Sequence, residues 1–229
     1  MPYGERKNEE IIAFGNSDIR FLENRGVKAI LLACNTLSSL IGSLTAKVPL
    51  FSIVEAGCLA TIDRQKEGSV GLIATTATVK NGTYEHILSR HTQAISYITQ
   101  GTRTLANVIN NHPGELVLLR RNIKEAIDPI FERERVSALL LGCTHFPIVR
   151  KTIEEMYPCL SIIDPADKQI TLLKAYLEKN NAFNESQYDG VTHICATGGD
   201  RDYTIFENMI EQLALGCNEL TLEQLDIDE

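Results

Sequence analysis

The chain has 229 residues, 44% of them hydrophobic, enough to bury a core as one large domain or two small ones. Acidic residues outnumber basic ones by 30 to 22, for a formal charge of −8, and no basic cluster supplies the electrostatic footprint of a nucleic-acid binder. No apolar run approaches the ~20 residues that span a bilayer, and no signal-peptide segment opens the chain, so the expectation is a soluble, cytoplasmic protein.

The elements follow in order. A turn at Met1-Pro2-Tyr3-Gly4 leads into a helix with Ile11, Ile12, Phe14, Ile19, Phe21 and Leu22 on its apolar face and Gly26 as its stop. Ala29–Ala33 reads as a buried strand ending at Cys34, and Val48–Val54 as a second, followed by a helix over Glu55–Lys66. Val70–Ala74 is a third strand, closing on a Thr-rich loop, Thr75–Gly82, and a helix through Tyr84–Arg90. Ala94–Thr99 is a weaker strand, and Leu105–Asn110 and Glu115–Arg133 read as helices. The strand Ala138–Leu141 stops at Gly142-Cys143-Thr144-His145, and Pro147 suits the first turn of a helix running to Tyr157. Leu160–Asp164 is a strand, Asp167–Lys179 a helix and Asn180–Gly190 a polar loop. Val191–Thr197 is a strand ending at Gly198-Gly199-Asp200, Tyr203–Leu215 a helix, and Glu219–Thr221 a last strand in an acidic tail.

Strands with near-continuous apolar content, alternating with helices, indicate an α/β fold with mainly parallel sheets covered on both faces. The two cysteine loops resemble each other enough to hint at pseudo-symmetric halves. The six cysteines are scattered, without close pairs, which points to free thiols rather than a disulfide framework. Cys58, Cys159, Cys195 and Cys217 are expected to be structural.

Cys34 and Cys143 differ from those four. Each falls at the carboxyl end of a parallel strand, where ligands bind in such sheets, and each precedes a helix whose N-terminus favours anions and lowers a thiol's pKa. Asn35, Thr36, Thr144 and His145 add short hydrogen-bonding groups suited to a small polar ligand. Two thiols on opposite sides of one carbon invert a stereocentre: a thiolate removes a proton from one face while the other thiol delivers one to the opposite face. Near-attack distances put such sulfurs roughly 6–7 Å apart, too far for a disulfide.

Pro2-Tyr3-Gly4, Ala33-Cys34-Asn35-Thr36 and Leu141-Gly142-Cys143-Thr144-His145-Phe146-Pro147, in this order, resemble the glutamate racemases of bacterial cell-wall synthesis. Val54-Glu55-Ala56-Gly57, Thr75–Tyr84 and Ala196–Asp200 are weaker matches in the same order. The resemblance implies a cofactor-independent, metal-free isomerase that interconverts L- and D-glutamate and supplies D-glutamate for peptidoglycan, and so for cell shape. By position it implies Cys34 and Cys143 as proton donor and acceptor, His145 as the group assisting Cys143, and Tyr3, Gly4, Asn35, Thr36, Thr144 and His145 as substrate contacts. It also implies two doubly wound lobes, 1–57 plus 168–229 and 58–167, with the active site in the cleft between them. Dimers are common in that family, although nothing in the sequence marks an interface.

Two departures stand out. The family begins with a strand ending in an Asp-Ser pair, some tens of residues before the Pro-Tyr-Gly turn, and this sequence starts immediately before that turn. The expectation is an N-terminally shortened version of a longer protein. The other departure is Asn110, which stands where the family often has an acidic residue, leaving His145 without a carboxylate partner. Competing readings are a non-catalytic fragment and a racemase or isomerase for another small acid such as aspartate. A zinc site at Cys34, Cys143 and His145 lacks close ligand spacing, and a phosphate loop at Gly198-Gly199 lacks the following lysine.

Overall fold

Ala138–Gly142 is buried at all five positions, as expected of a strand covered on both faces. In the computed structural model, which describes residues 6–112, 114–185, 191–197 and 220–224, this strand sits inside a four-stranded parallel sheet. The chain divides into two compact units, Met1–Asn181 and Ala182–Glu229.

In the first unit the elements run α1 (Asn8–Asn24), β1 (Ile30–Leu32), α2 (Asn35–Ser38), β2 (Leu50–Ser52), α3 (Ile53–Arg64), β3 (Gly68–Thr75), α4 (Thr76–Asn81), α5 (Thr83–His91) and β4 (Ile95–Thr102). They continue with α6 (Leu105–Asn111), α7 (Leu116–Arg133), β5 (Ala138–Gly142), a 3-10 turn (Phe146–Val149), α8 (Arg150–Met156), β6 (Ser161–Ile163) and α9 (Pro165–Lys179). The larger sheet has the order β4-β3-β5-β6, and β1 pairs in parallel with β2. In the second unit β7 (Thr192–Ala196) pairs in parallel with β8 (Leu220–Gln224).

The period of two along β5 explains the layering. Leu139 and Leu141 join Leu105, Ile123, Ile127 and Ile130 in a core under α6 and α7. Ala138 and Leu140 join Ile53, Val54, Tyr84 and Leu88 in a second core under α3 and α5. A third core holds Ile11 and Ile19 of α1 against Ile30, Leu32 and Leu37. Buried Gln169 on α9 donates from Nε2 to the carbonyls of Leu32 (3.1 Å) and Phe51 (2.8 Å), satisfying backbone acceptors of β1 and β2. Among the described residues no helix is long and apolar enough to cross a membrane.

The α/β class with parallel sheets agrees with the sequence reading, and three local expectations need correction. The Thr-rich stretch is not a loop: Thr75 Oγ1 accepts from the N–H of Thr78 and caps α4, which ends at Gly82 in the left-handed region. Helix α3 begins at Ile53 rather than Glu55, because Ser52 Oγ accepts from the Glu55 N–H. The segment from Pro147 is a 3-10 turn first and an α-helix only from Arg150. The Pro-Tyr-Gly turn, Gly198–Asp200 and the helix expected at Tyr203–Leu215 lie outside the described residues.

Truncating Leu139 to Ala, in the core between β5 and α7, is expected to lower the unfolding free energy by ~2–5 kcal/mol. Val117→Ala, at a side chain 87% exposed, is expected to change it by no more than about 0.5 kcal/mol. Urea unfolding measures both, and equal losses would contradict this placement of the core.

Candidate active site

Parallel pairing puts the carboxyl ends of the strands on one edge. Ala74 is in register with both Gly101 and Gly142, so Thr102, Thr75 and Cys143 follow one another along that edge of the large sheet. The glycine before Cys143 is dictated by this packing. A Cβ at Gly142 would stand 2.8 Å from Leu72 Cδ1 and 2.9 Å from both Ala74 Cβ and the Ile73 carbonyl oxygen. Cys143 then leaves the sheet as a 7% exposed side chain, with Thr144 exposed and His145 half-buried beside it.

Cys34 is delivered by the other sheet. It has extended backbone just past β1 and opens α2, a single turn in which Asn35, Thr36, Leu37 and Ser38 are all buried. Ser38 Oγ donates to the Leu32 carbonyl at 2.7 Å, tying that turn back onto β1.

Side-chain hydrogen bonds join the Cys34 loop to the edge of the large sheet. Thr36 Oγ1 lies 3.1 Å from Thr75 Oγ1 and 3.2 Å from Thr78 Oγ1, which are 2.9 Å from each other. The three hydroxyls form a triangle in which either member of each pair can be the donor. Tyr84 donates its hydroxyl to Asn35 Oδ1 at 2.6 Å. Asn81 Nδ2 donates to Ser39 Oγ at 2.9 Å, and Thr83 Oγ1 to the Ser39 carbonyl at 3.2 Å.

Cys34 and Cys143, far apart in sequence, are within electrostatic reach of each other. Burial pushes the Cys143 thiol up to about 11, the His145 N–H pulls it down, the charge of Cys34 raises it further, and the Thr144 hydroxyl lowers it. Burial likewise raises Cys34, against the N–H groups of Leu37 and Thr36 and the Thr36 hydroxyl. The expectation that helix N-termini would lower these thiols is therefore overturned: α2 is one turn, a 3-10 turn follows Cys143, and desolvation outweighs both. Burial also lowers the pKa of His145, whose Nδ1 lies 3.8 Å from Cys143 Sγ. The resting contact at neutral pH is thiol against neutral imidazole, and among the described residues no carboxylate bonds to His145.

The structure thus gathers Cys34, Asn35 and Thr36 with Cys143 and the neighbouring Thr144 and His145, while Tyr3 and Gly4 lie outside the described residues. It adds Thr75, Thr78 and Tyr84, which the sequence analysis left in a general match; their signal was the run of threonines after β3. Among the described residues no group of three or more His, Cys, Asp or Glu is arranged to hold a metal ion.

Alkylation of Cys143, followed by mass spectrometry, is expected to accelerate about tenfold per pH unit from pH 7 to 10, because a raised pKa leaves the thiolate scarce until the medium is alkaline. A plateau below pH 9 would contradict the desolvated setting.

Residues 5–173 match the family described as Asp/Glu/Hydantoin racemase. Glutamate racemase 1 of Caldanaerobacter subterraneus subsp. tengcongensis is 29% identical over 204 residues, 89% of this chain and 76% of that protein. Glutamate racemase of Lactococcus lactis subsp. cremoris is 29% identical over 186 residues, 78% of this chain and 68% of its own. A glutamate racemase isoform from Bacillus anthracis superposes with a TM-score of 0.86 at 25% identity, covering 99% of this chain and 85% of that one. The enzyme from Francisella tularensis, solved with D-glutamate, superposes at 0.83 with 24% identity, covering 100% and 84%. With a family match across most of its length and a fold shared almost throughout, the chain belongs to the Asp/Glu/Hydantoin racemase family.

Proposed function

We propose that this chain interconverts L- and D-glutamate by two-thiol proton transfer at Cα, without a cofactor. The observation that carries the reading is geometric: the hydrogen bonds of Thr36 with Thr75 and Thr78 hold the loop that opens at Cys34 against the carboxyl edge where Cys143 leaves the large sheet. The names of the relatives and of the structural neighbours supply the substrate.

One thiolate and one thiol start the reaction. The thiolate takes the α-proton from one face of glutamate, the electron pair stays on Cα, and the opposing thiol protonates the other face. The product leaves with the two sulfurs in exchanged protonation states, so the reverse reaction runs through the same groups. Proton exchange with solvent resets the pair. Burial has two consequences for this chemistry. It makes either thiolate a stronger base, better matched to a weak carbon acid, and it makes that thiolate scarce at neutral pH. Glutamate's ammonium group, bound beside a sulfur, stabilises the thiolate and offsets the second effect. Asn35, Thr36 and Thr144 supply hydrogen bonds for the substrate's carboxylates, and His145, neutral at working pH, exchanges a proton with Cys143. The D-glutamate formed feeds peptidoglycan synthesis in the cytoplasm.

The test is NMR of the glutamate α-proton in deuterated buffer, with aspartate as the comparison substrate. The parent is expected to exchange and racemise glutamate in preference to aspartate. Cys34→Ser and Cys143→Ser are each expected to lose at least about 100-fold in racemisation. Each keeps at most exchange of the single enantiomer facing its remaining thiol. Full racemisation by either variant would contradict two-thiol chemistry.

Rates should also depend on pH with a definite sign. Because both thiols are raised, kcat/KM is expected to climb from pH 7 towards pH 9 as the first ionisation populates the thiolate–thiol pair, and to fall once both ionise. A profile falling from pH 7 to 9 would contradict it.

A further inference from the structure

Tyr84 is the largest polar side chain in the core between α5 and the large sheet, and its position is fixed on every side. It is 1% exposed, its ring meets the Tyr97 ring edge-on at 5.8 Å, and its backbone carbonyl accepts from Cys58 Sγ at 3.4 Å. Gly57 on α3 makes room for it: a Cβ there would come 3.0 Å from Tyr84 Cε1 and 3.1 Å from its hydroxyl oxygen. From this socket the hydroxyl reaches the neighbouring loop and donates to Asn35 Oδ1, in the residue next to Cys34.

That bond settles which way the Asn35 amide faces. Oδ1 is taken by the phenol, while among the described residues Nδ2 makes no hydrogen bond and is not one of the buried polar atoms left without a partner. Among the described residues its two N–H donors are therefore uncommitted, in the residue that follows Cys34. The phenol is a dependable donor, since burial above all, with the charges of Cys58, Cys143 and Asp164, keeps it protonated.

We infer that Tyr84 is a positioning residue: through its hydrogen bond to Oδ1 it holds the Asn35 amide with both Nδ2 protons presented to a carboxylate of the bound amino acid. The inference rests on the racemase reading of the site and extends it to a side chain that acts through Asn35. Without the hydroxyl, Asn35 Oδ1 is a buried acceptor lacking a donor, and the amide turns to find one. The substrate then loses the donor that sets its register against the two thiols, where small displacements change rates steeply.

The experiment is a double-mutant cycle on glutamate racemisation with Tyr84→Phe, Asn35→Ala and the pair, alongside Cys34→Ser and Cys143→Ser. Tyr84→Phe is expected to lower kcat/KM about 10- to 100-fold, and to do nothing further in the Asn35→Ala background. A loss that adds in full to that of Asn35→Ala would overturn the inference, because a purely structural tyrosine acts independently of Asn35. Wild-type kinetics in Tyr84→Phe, with both cysteine variants inactive, would overturn it while leaving the racemase reading intact. A second measurement needs no variant. In 15N-labelled parent protein titrated with D-glutamate, the Asn35 side-chain amide is expected to shift together with the backbone amides of Cys34 and Cys143. Movement of the cysteine amides without the Asn35 side chain would overturn the positioning role, and no movement anywhere would overturn the glutamate reading with it.

Discussion

The seam between α2 and the carboxyl edge of the large sheet is the contact on which the site depends. Among the described residues Cys34 arrives from a two-strand sheet and Cys143 from a four-strand sheet, and no β-ladder connects the two. The connection is polar: the triangle of Thr36, Thr75 and Thr78 hydroxyls, the Tyr84–Asn35 bond, and the contacts of Asn81 and Thr83 with Ser39. Such contacts have directions that apolar packing lacks, so they fix where one loop stands relative to the other. They are also satisfied almost entirely by one another, which a buried polar seam requires if it is not to destabilise the fold.

The seam sets the electrostatics as well. Burying two thiols within reach of each other raises both, and the charge of one opposes ionisation of the other. For a thiol that only had to react with an electrophile this would be a handicap. For a pair that must hold one proton between them it is the useful arrangement, because mutual repulsion favours one thiolate over two. The neutral state of His145 belongs to the same desolvated setting.

Much of this was legible in the residues. Both cysteines end apolar strands, and a strand that stops abruptly at small polar residues marks a sheet edge where chemistry sits. The α/β class followed from the alternation of strands and helices. What stayed hidden had physical causes. Threonines lower helix propensity, so Thr76–Asn81 read as a loop although Thr75 and Gly82 cap it at both ends. The direction of the thiol shifts turned on burial, which local motifs do not reveal. The Tyr84–Asn35 pair joins residues 49 positions apart, and the packing of both α5 and α2 against α3 brings them together. Tyr3 and Gly4 remain expectations from the motif alone.

The most direct test of the account is a pH titration of the protein carrying 13Cβ-labelled cysteine, in the parent, Cys34→Ser and Cys143→Ser. Coupled thiols predict that the parent loses its two protons in steps spread further apart than the two single-cysteine curves, with the upper step above that of Cys143 in Cys34→Ser. A parent curve equal to the sum of the two single-cysteine curves would mean that the sulfurs do not sense each other, and would contradict a shared two-thiol site.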